Sequence, residues 1–173
     1  MSKQLKDMSR EELKSLNRDF KFFYSGTFSQ WKRCRFYEDG IMFTTAEQYM
    51  MYQKAMLFRD FNIAKEILAV DNPKEVKRLG RLVKGFDEKI WDEHKYQIVK
   101  RGNLLKFSQS KNLREELMNT GDRILVEASP FDGIWGVKMS AENASIKDPR
   151  NWRGQNLLGF ALTEVKEVLI NFN

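Results

Sequence analysis

Apolar residues along most of this chain recur three and four positions apart, which is the pattern of helices that bury one face. Capping residues and glycines mark where several of these helices begin and end, and Asn72-Pro73 is the strongest start signal. The last helix is predicted to be amphipathic. The predicted helices cover about residues 44–58, 60–70, 72–81, 88–107, 113–118 and 155–172, and a short earlier helix is capped by Ser9.

Three shorter segments have the pattern of strands. Lys21–Tyr24 and Arg123–Ala128 are predicted as single strands, and Phe36–Phe43 as a hairpin around an Asp-Gly turn. Residues 129–154 are rich in turn residues and are predicted to be mostly loop, where functional groups often lie. The expected fold class is mainly α with a small β-sheet, as one compact domain over residues 21–173 after a charged N-terminal extension of residues 1–20.

The amino-acid composition excludes some classes of protein and favours others. The 173 residues are 42% hydrophobic, which excludes a disordered chain and allows a substantial core. No apolar run approaches the roughly 18 residues that a membrane span needs, so we expect no membrane partner. The net charge of +6 favours a polyanionic partner such as nucleic acid or a nucleotide, although a basic surface alone would give the same charge.

The rarest residue types exclude several kinds of site. Cys34 is the single cysteine and His94 the single histidine, which leaves too few residues for a zinc site or a catalytic triad. A lone cysteine also predicts a reducing, cytoplasmic location. Gly80–Gly85 has the spacing of a P-loop, but Phe86-Asp87 replaces the required Lys-Ser/Thr. We therefore expect no metal and no cofactor, and any chemistry must come from carboxylates, lysines, aromatic residues and backbone.

Glu47 is the first candidate for that chemistry. With Thr44 as the predicted N-cap, Glu47 takes the third helical position, where it could simply complete a capping box. Positions 47, 50, 51 and 54 share one helix face, so Glu47 and Lys54 point the same way with methionines between them. Glu47 is thus a cap, a carboxylate directed at a ligand, or both.

Two later segments offer further candidates. A strand ending at Glu127 leads into a turn that presents Asp132 and Trp135 between glycines, which suits a sugar or a base. An ordinary strand end with Trp135 in the core explains the same pattern. The small residues in Asn151–Gly159 could bind phosphate at a helix start, although a packing glycine there is the simpler explanation.

An ordered series of motifs resembles the NADAR/YbiA-like family and covers about residues 22–169. Each motif is weak alone, but their order is highly specific. The motifs are Phe28-Ser29-Gln30-Trp31, Thr45–Met51 with Lys54-Ala55, Leu79-Gly80-Arg81, Phe86-Asp87 with Trp91, Lys106-Phe107, Thr120-Gly121, Leu125–Pro130, Ile134-Trp135-Gly136, and Trp152 with Gly154, Asn156, Leu158 and Gly159.

The resemblance implies a compact, mainly helical fold and N-glycosidase or ADP-ribosyl-glycohydrolase activity. Some members are similar to enzymes that cleave phosphorylated riboflavin-biosynthesis intermediates. Others remove ADP-ribose from guanine in DNA, reversing a toxin's modification, and phage-borne members do so in the host cytoplasm against host defence. Gln48 stands where the riboflavin-type branch usually has histidine, which favours ADP-ribosylated DNA as the partner. The alternatives are a glycosidase acting on riboflavin intermediates or another free nucleotide, and a non-catalytic ADP-ribose-binding module.

The resemblance also implies roles for individual residues. Glu47 is expected as the main catalytic carboxylate, and Lys54 as a group that holds a phosphate, orients Glu47 or attacks the opened sugar. Asp132 is expected to bind ribose hydroxyls or to act as the second acid, with Glu127 as the alternative. The expected substrate-binding residues are Trp31, Gln48, Tyr49, Glu127, Ser129, Gly136, Asn156 and Gly159, with Trp91 and Trp135 for stacking and Arg81 and Lys106 for phosphate or the DNA backbone.

Overall fold

The computed structural model describes residues 3–171, and helices dominate this part of the chain, which confirms the predicted fold class. In chain order the elements are α1 (Arg10–Ser15), β1 (Phe20–Phe23), β2 (Phe36–Glu38), β3 (Ile41–Phe43), α2 (Ala46–Leu57), α3 (Phe61–Leu68), α4 (Pro73–Gly80), α5 (Glu88–Ser108), α6 (Lys111–Met118), β4 (Ile124–Glu127) and α7 (Leu157–Asn171). Short 3-10 helices lie at Leu5–Asp7, Gly26–Phe28, Ala144–Lys147 and Pro149–Asn151.

The chain forms two compact units. The terminal unit comprises the chain up to Phe28 together with the chain from Glu115 onward, and the central unit comprises Ser29–Arg114. Each unit holds one two-stranded sheet among its described residues, where the sequence pattern had predicted a single small sheet. The predicted Asp-Gly hairpin is confirmed as the antiparallel pair β2–β3 of the central unit.

The sheet of the terminal unit pairs β1 with β4 in parallel, with Phe20 opposite Ile124 and Phe23 opposite Glu127. Because parallel neighbours cannot be joined by a tight turn, the chain leaves the unit after Phe28 and returns to it before β4. Ile124, Leu125 and Val126 are completely buried, and α7 packs against this strand. The unit's core therefore lies between β4 and α7.

Helix α7 differs from its prediction in two ways. It begins at Leu157, two residues later than expected, because Asn156 adopts a left-handed backbone with φ 57°. Residues Leu157–Lys166 are all buried, so the predicted amphipathic pattern is wrong for this part of the helix. The helix packs against β4 and against the 3-10 helix at Leu5–Asp7, which leaves exposed positions only beyond Lys166.

The central unit is organised around α2, which packs against α3, α4 and α5. An aromatic cluster of Phe36, Phe43 and Tyr49 joins the hairpin to α2. Asn72 and Asp87 cap α4 and α5 through their side chains, as the sequence predicted, because each accepts a hydrogen bond from a backbone N–H of the first turn. In the part of the chain that the structure describes, no helix combines the length and the apolar character that a membrane crossing demands.

Candidate active site

The start of α2 differs from its prediction by one residue, and the difference concerns Glu47. The N-cap is Thr45, whose hydroxyl accepts a hydrogen bond from the Gln48 N–H at 3.0 Å, and Thr44 lies outside the helix. Glu47 is therefore the second helical residue, and Gln48 takes the third position. The capping interactions at this helix end are made by Thr45 and Gln48, so the capping-box interpretation of Glu47 is wrong.

Glu47 is nevertheless buried, with 4% of its surface exposed. Its backbone N–H donates to the carbonyl of Gln30 at 3.0 Å, and the ammonium of Lys106 donates to the neighbouring carbonyl of Ser29 at 3.0 Å. The backbone of a buried glutamate and the side chain of a buried lysine thus contact consecutive peptide groups. Buried charges are costly unless they are compensated, and such groups are frequent at functional sites.

Two polar atoms next to this helix start have no hydrogen-bond partner among residues 3–171. The Nδ2 of Asn103 donates to the Oε1 of Gln30 at 2.9 Å, which leaves the Oδ1 of Asn103 and the Nε2 of Gln30 buried without partners. Exchanging the two atoms of both amides would still leave one donor and one acceptor over. Unsatisfied buried polar groups are rare in folded proteins, and here they lie beside the peptide that bonds to Glu47.

Lys54 lies two turns further along the same helix face as Glu47, and the buried Met50 and Met51 lie between them. Its Nζ donates to the carbonyl of Gly80 at 2.8 Å. A side chain at Gly80 would overlap Met51, so close packing of α4 on α2 brings that carbonyl within reach. Burial, with the nearby Arg81 guanidinium as the second cause, lowers the pKa of Lys54.

Aromatic rings surround this lysine. Its ammonium lies 4.4 Å from the centre of the Phe86 ring and 5.7 Å from that of Trp91. The sequence predicts Trp91 as a stacking residue but gives Phe86 only as part of a motif, and the position of Phe86 beside the ammonium follows from the fold. Trp31 and Arg81 are exposed, which leaves both able to contact a ligand. The residues of the central unit that remain available to a ligand thus combine cations with aromatic faces.

Packing accounts for three other predicted substrate-binding residues of this unit. The Nε2 of Gln48 donates to the carbonyls of Ile67 and Val70, both at 3.0 Å. The hydroxyl of Tyr49 donates to Glu38 at 2.7 Å, and its ring belongs to the aromatic cluster. Lys106 is 1% exposed, so the structure places its ammonium in the interior and not at a surface that DNA could reach.

In the terminal unit, the predicted turn has its polar groups engaged by its own backbone. One carboxylate oxygen of Asp132 accepts the N–H groups of Ile134 and Trp135, both at 2.8 Å. The hydroxyl of Ser129 accepts the N–H of Asp132 at 3.1 Å. A side chain at Gly136 would come within 2.9 Å of the carbonyl of Glu127, which explains that glycine by packing. Trp135 and Asp132 are half-buried.

Asn156 and Gly159 hold β4 in place. The Asn156 side chain accepts the N–H of Glu127 at 2.9 Å and donates to the carbonyl of Leu125 at 3.1 Å, as a neighbouring strand would. A side chain at Gly159 would overlap the Leu125 carbonyl. This agrees with the simpler interpretation of the segment, in which the glycine serves packing. Within residues 3–171, no group of three or more His, Cys, Asp or Glu side chains could hold a metal ion.

Comparisons with known proteins agree with this arrangement of motifs. The model of the NADAR domain family matches residues 21–170. The chain is 43% identical over 145 residues to N-glycosidase R617 of Acanthamoeba polyphaga mimivirus, covering 81% of this chain and 85% of that protein. It is also 43% identical over 134 residues to Protein irg-1 of Caenorhabditis elegans, covering 76% of this chain and 63% of that protein.

A solved structure extends the likeness to the fold. N-glycosidase YbiA of Escherichia coli strain K12 is 32% identical over 144 residues, covering 83% of this chain and 81% of that protein. The NMR structure of E. coli YbiA matches with a TM-score of 0.74 and 30% identity, covering 90% of this chain and 88% of that chain. Since the family model spans most of the sequence and the fold is shared, this chain belongs to the NADAR family.

Proposed function

We propose that this protein is an N-glycosidase that hydrolyses the bond between ADP-ribose and guanine in ADP-ribosylated DNA, and so reverses a toxin or defence modification. The names of the mimivirus relative and of YbiA support the general activity, hydrolysis of an N-glycosidic bond. Those names do not specify a substrate, so the proposal of ADP-ribosylated DNA needs separate support. It rests on the family resemblance, on Gln48 in place of histidine and on the net charge of +6.

The observation that carries the proposal is the buried carboxylate of Glu47 in the first turn of α2. Glu47 shares a helix face with Lys54, and both lie in the central unit. Cleavage of a glycosidic bond passes through a transition state in which positive charge develops on the sugar. A carboxylate in a site with little water stabilises that charge strongly, or activates the attacking water. We assign Glu47 this role.

Lys54 supplies the second chemical group. Its lowered pKa increases the fraction of neutral amine at a given pH, which nucleophilic attack on an opened sugar requires. The charged form, for its part, would hold a phosphate of ADP-ribose. Phe86 and Trp91 beside the ammonium offer faces on which a base can stack. Arg81 is our candidate for a phosphate contact. In the terminal unit, Asp132 and Trp135 remain our candidates for contacts with ribose and base.

The decisive experiment follows release of ADP-ribose from guanine-ADP-ribosylated DNA. The purified wild type should release it, and folded Glu47→Ala should be slower by about 10²–10³-fold, the typical loss of one electrostatic catalytic partner. Glu66→Ala makes the same substitution at an exposed position of α3 and should behave as wild type. Raising the salt concentration should weaken activity on DNA steeply, because phosphate contacts release counterions.

The same assay separates the alternatives. Cleavage of a free nucleotide or a phosphorylated riboflavin precursor, but not of ADP-ribosylated DNA, would contradict the proposed substrate. It would still support N-glycosidase activity. Tight binding of ADP-ribose without turnover would indicate a binding module. Equal activity of Glu47→Ala and wild type would remove Glu47 from the mechanism.

A further inference from the structure

The short segment 153–156 is bonded to the predicted binding turn through backbone groups. The N–H of Arg153 donates to Val137, that of Gln155 to Gly133 and that of Asn156 to Gly136, at 3.0, 2.9 and 3.1 Å. Gly154 lies within this set of bonds, and a side chain there would overlap the Gly136 carbonyl and come within 2.9 Å of Gly133. The shape of the turn therefore depends on where Gly154 is held.

A side chain from the N-terminal helix holds it. The Nη2 of Arg10, on α1, donates to the carbonyl of Gly154 at 2.6 Å across 144 positions of sequence. The same guanidinium lies 5.3 Å from the centre of the Trp152 ring. Arg10 is half-buried, so its charge is partly removed from water, and this burial lowers its pKa. Hydrogen bonds from a charged donor are stronger than neutral ones, and more so where water is excluded.

Other contacts keep α1 in this position. A helix of six residues is marginal alone, but Ser9 and Glu12 form a complete capping box at its first turn. Leu13 is 1% exposed, and Lys14 forms an ion pair with Asp148 at 3.5 Å. The capping box defines where the helix starts, and Leu13 and Lys14 hold it against the terminal unit, so Arg10 is presented to Gly154 in a defined geometry.

We propose that α1 positions the turn Ser129–Gly136 for ligand binding, with Arg10 as the positioning residue that acts through Gly154. The family match begins at residue 21, so this contribution comes from a helix outside the matched segment. The role in binding rests on the proposed function, because it requires Asp132 or Trp135 to contact the substrate. The structural step, from Arg10 to the turn, does not require it.

Hydrogen exchange followed by mass spectrometry tests the structural step in the full chain without a substrate. Arg10→Met keeps a long side chain but removes the donors, and the backbone amides of 133–137 and 153–156 should then exchange roughly tenfold faster. Arg10→Lys keeps the charge without the planar fork and should give an intermediate rate. The control Glu11→Gln removes a charge from an exposed position of the same helix and should leave both segments unchanged.

Steady-state kinetics provide a measurement that a purely structural role of Arg10 would not change. This measurement is whether the substitution alters KM or kcat. For Arg10→Met we expect KM on ADP-ribosylated DNA to rise roughly fivefold to tenfold with kcat within about twofold of wild type. Unchanged exchange in both segments, or faster exchange throughout β4 and α7, would overturn the proposal, as would an unchanged KM despite faster local exchange. Locally faster exchange in a protein that releases no ADP-ribose would support the structural step while refuting the proposed function alone.

Discussion

The two units each contain a lysine whose pKa is lowered by burial, but the two lysines have different surroundings. In the terminal unit, Lys166 is 1% exposed and its ammonium donates to Thr120, Gly121 and Arg123 at 3.0, 2.6 and 2.6 Å. In the central unit, Lys54 is half-buried, donates to Gly80 and faces aromatic rings. Because an ammonium has three donors, folding saturates Lys166 and leaves Lys54 with donors for a ligand.

The same contrast holds for the other polar residues of the two units. In the terminal unit, side-chain oxygens of Asp132 and Asn156 accept hydrogen bonds from backbone N–H groups of a turn and a strand. In the central unit, Gln30 and Asn103 each retain a buried atom without a partner in residues 3–171. Among these residues, the polar atoms left without a partner in residues 3–171 belong to Gln30 and Asn103 of the central unit.

After that of Glu47→Ala, the largest expected effect is at Lys54. Lys54→Met should lower kcat by about 10²-fold if the amine takes part in chemistry, whereas Lys65→Met on the exposed face of α3 should not. If positive charge is what matters, Lys54→Arg should restore much of the activity; if a neutral amine attacks the sugar, it should not. Borohydride trapping followed by mass spectrometry distinguishes these two roles. Full activity of Lys54→Met would contradict both.

The pH dependence sharpens the prediction for Lys54. A lysine with a lowered pKa loses its proton at lower pH than an ordinary lysine, whose pKa is about 10.4. An essential neutral amine should therefore make kcat rise with pH through an apparent pKa below that value, and an essential ammonium should make it fall through the same value. If kcat does not change with pH over this range, the protonation state of Lys54 does not affect catalysis.

The next effect concerns stability and tests the structural role of Asn156. Asn156→Gly keeps the left-handed backbone and removes the amide, which leaves the Glu127 N–H and the Leu125 carbonyl without their partner. We expect the free energy of unfolding to fall by about 2–4 kcal/mol in urea titrations. Asn62→Gly on exposed α3 should cost less than about 1 kcal/mol, because asparagine is itself a poor helix former. An equally small cost for Asn156→Gly would contradict this structural role and would leave ligand binding as the role of the amide.

A smaller effect separates the two interpretations of Asp132. Asp132→Asn keeps an oxygen that can accept the N–H groups of Ile134 and Trp135, whereas Asp132→Ala removes it. If the residue only shapes the turn, the Asn variant should match wild type and the Ala variant should lose about 1 kcal/mol of stability. A loss of roughly tenfold in kcat/KM for the Asn variant, with its melting temperature unchanged, would instead assign the charge to substrate binding.

The last prediction concerns the pH dependence of stability due to Lys166. Burial lowers the pKa of Lys166 to about 8 in the folded protein, against an ordinary value near 10.4 in the unfolded chain. Between these values the unfolded state binds more protons, so stability should rise with pH across this window. Lys166→Met should lack that rise in urea titrations between pH 8 and 10. Parallel curves for variant and wild type would show that Lys166 titrates normally.

Much of the secondary structure follows from local physics that one sequence displays. Asn72, Asp87 and Ser9 each lie just before a predicted helix, and each caps it in the structure, because a cap involves residues only two or three positions apart. The adjacent threonines before α2 were the exception. Both can cap, and the choice of Thr45 depends on Gln48, whose side chain bonds to Thr44 and to carbonyls at the end of α3.

The sequence by itself determined the helical class, the hairpin, most helix starts and the family to which the chain belongs. Tertiary structure alone decided the parallel pairing of β1 with β4, the placement of Phe86 over Lys54, and the use of Asn156 and Lys166 to satisfy backbone groups. These features join residues between 29 and about 100 positions apart. The choice between a ligand contact and a structural hydrogen bond depends on which groups burial leaves unpaired, and the order of residues along the chain does not record that.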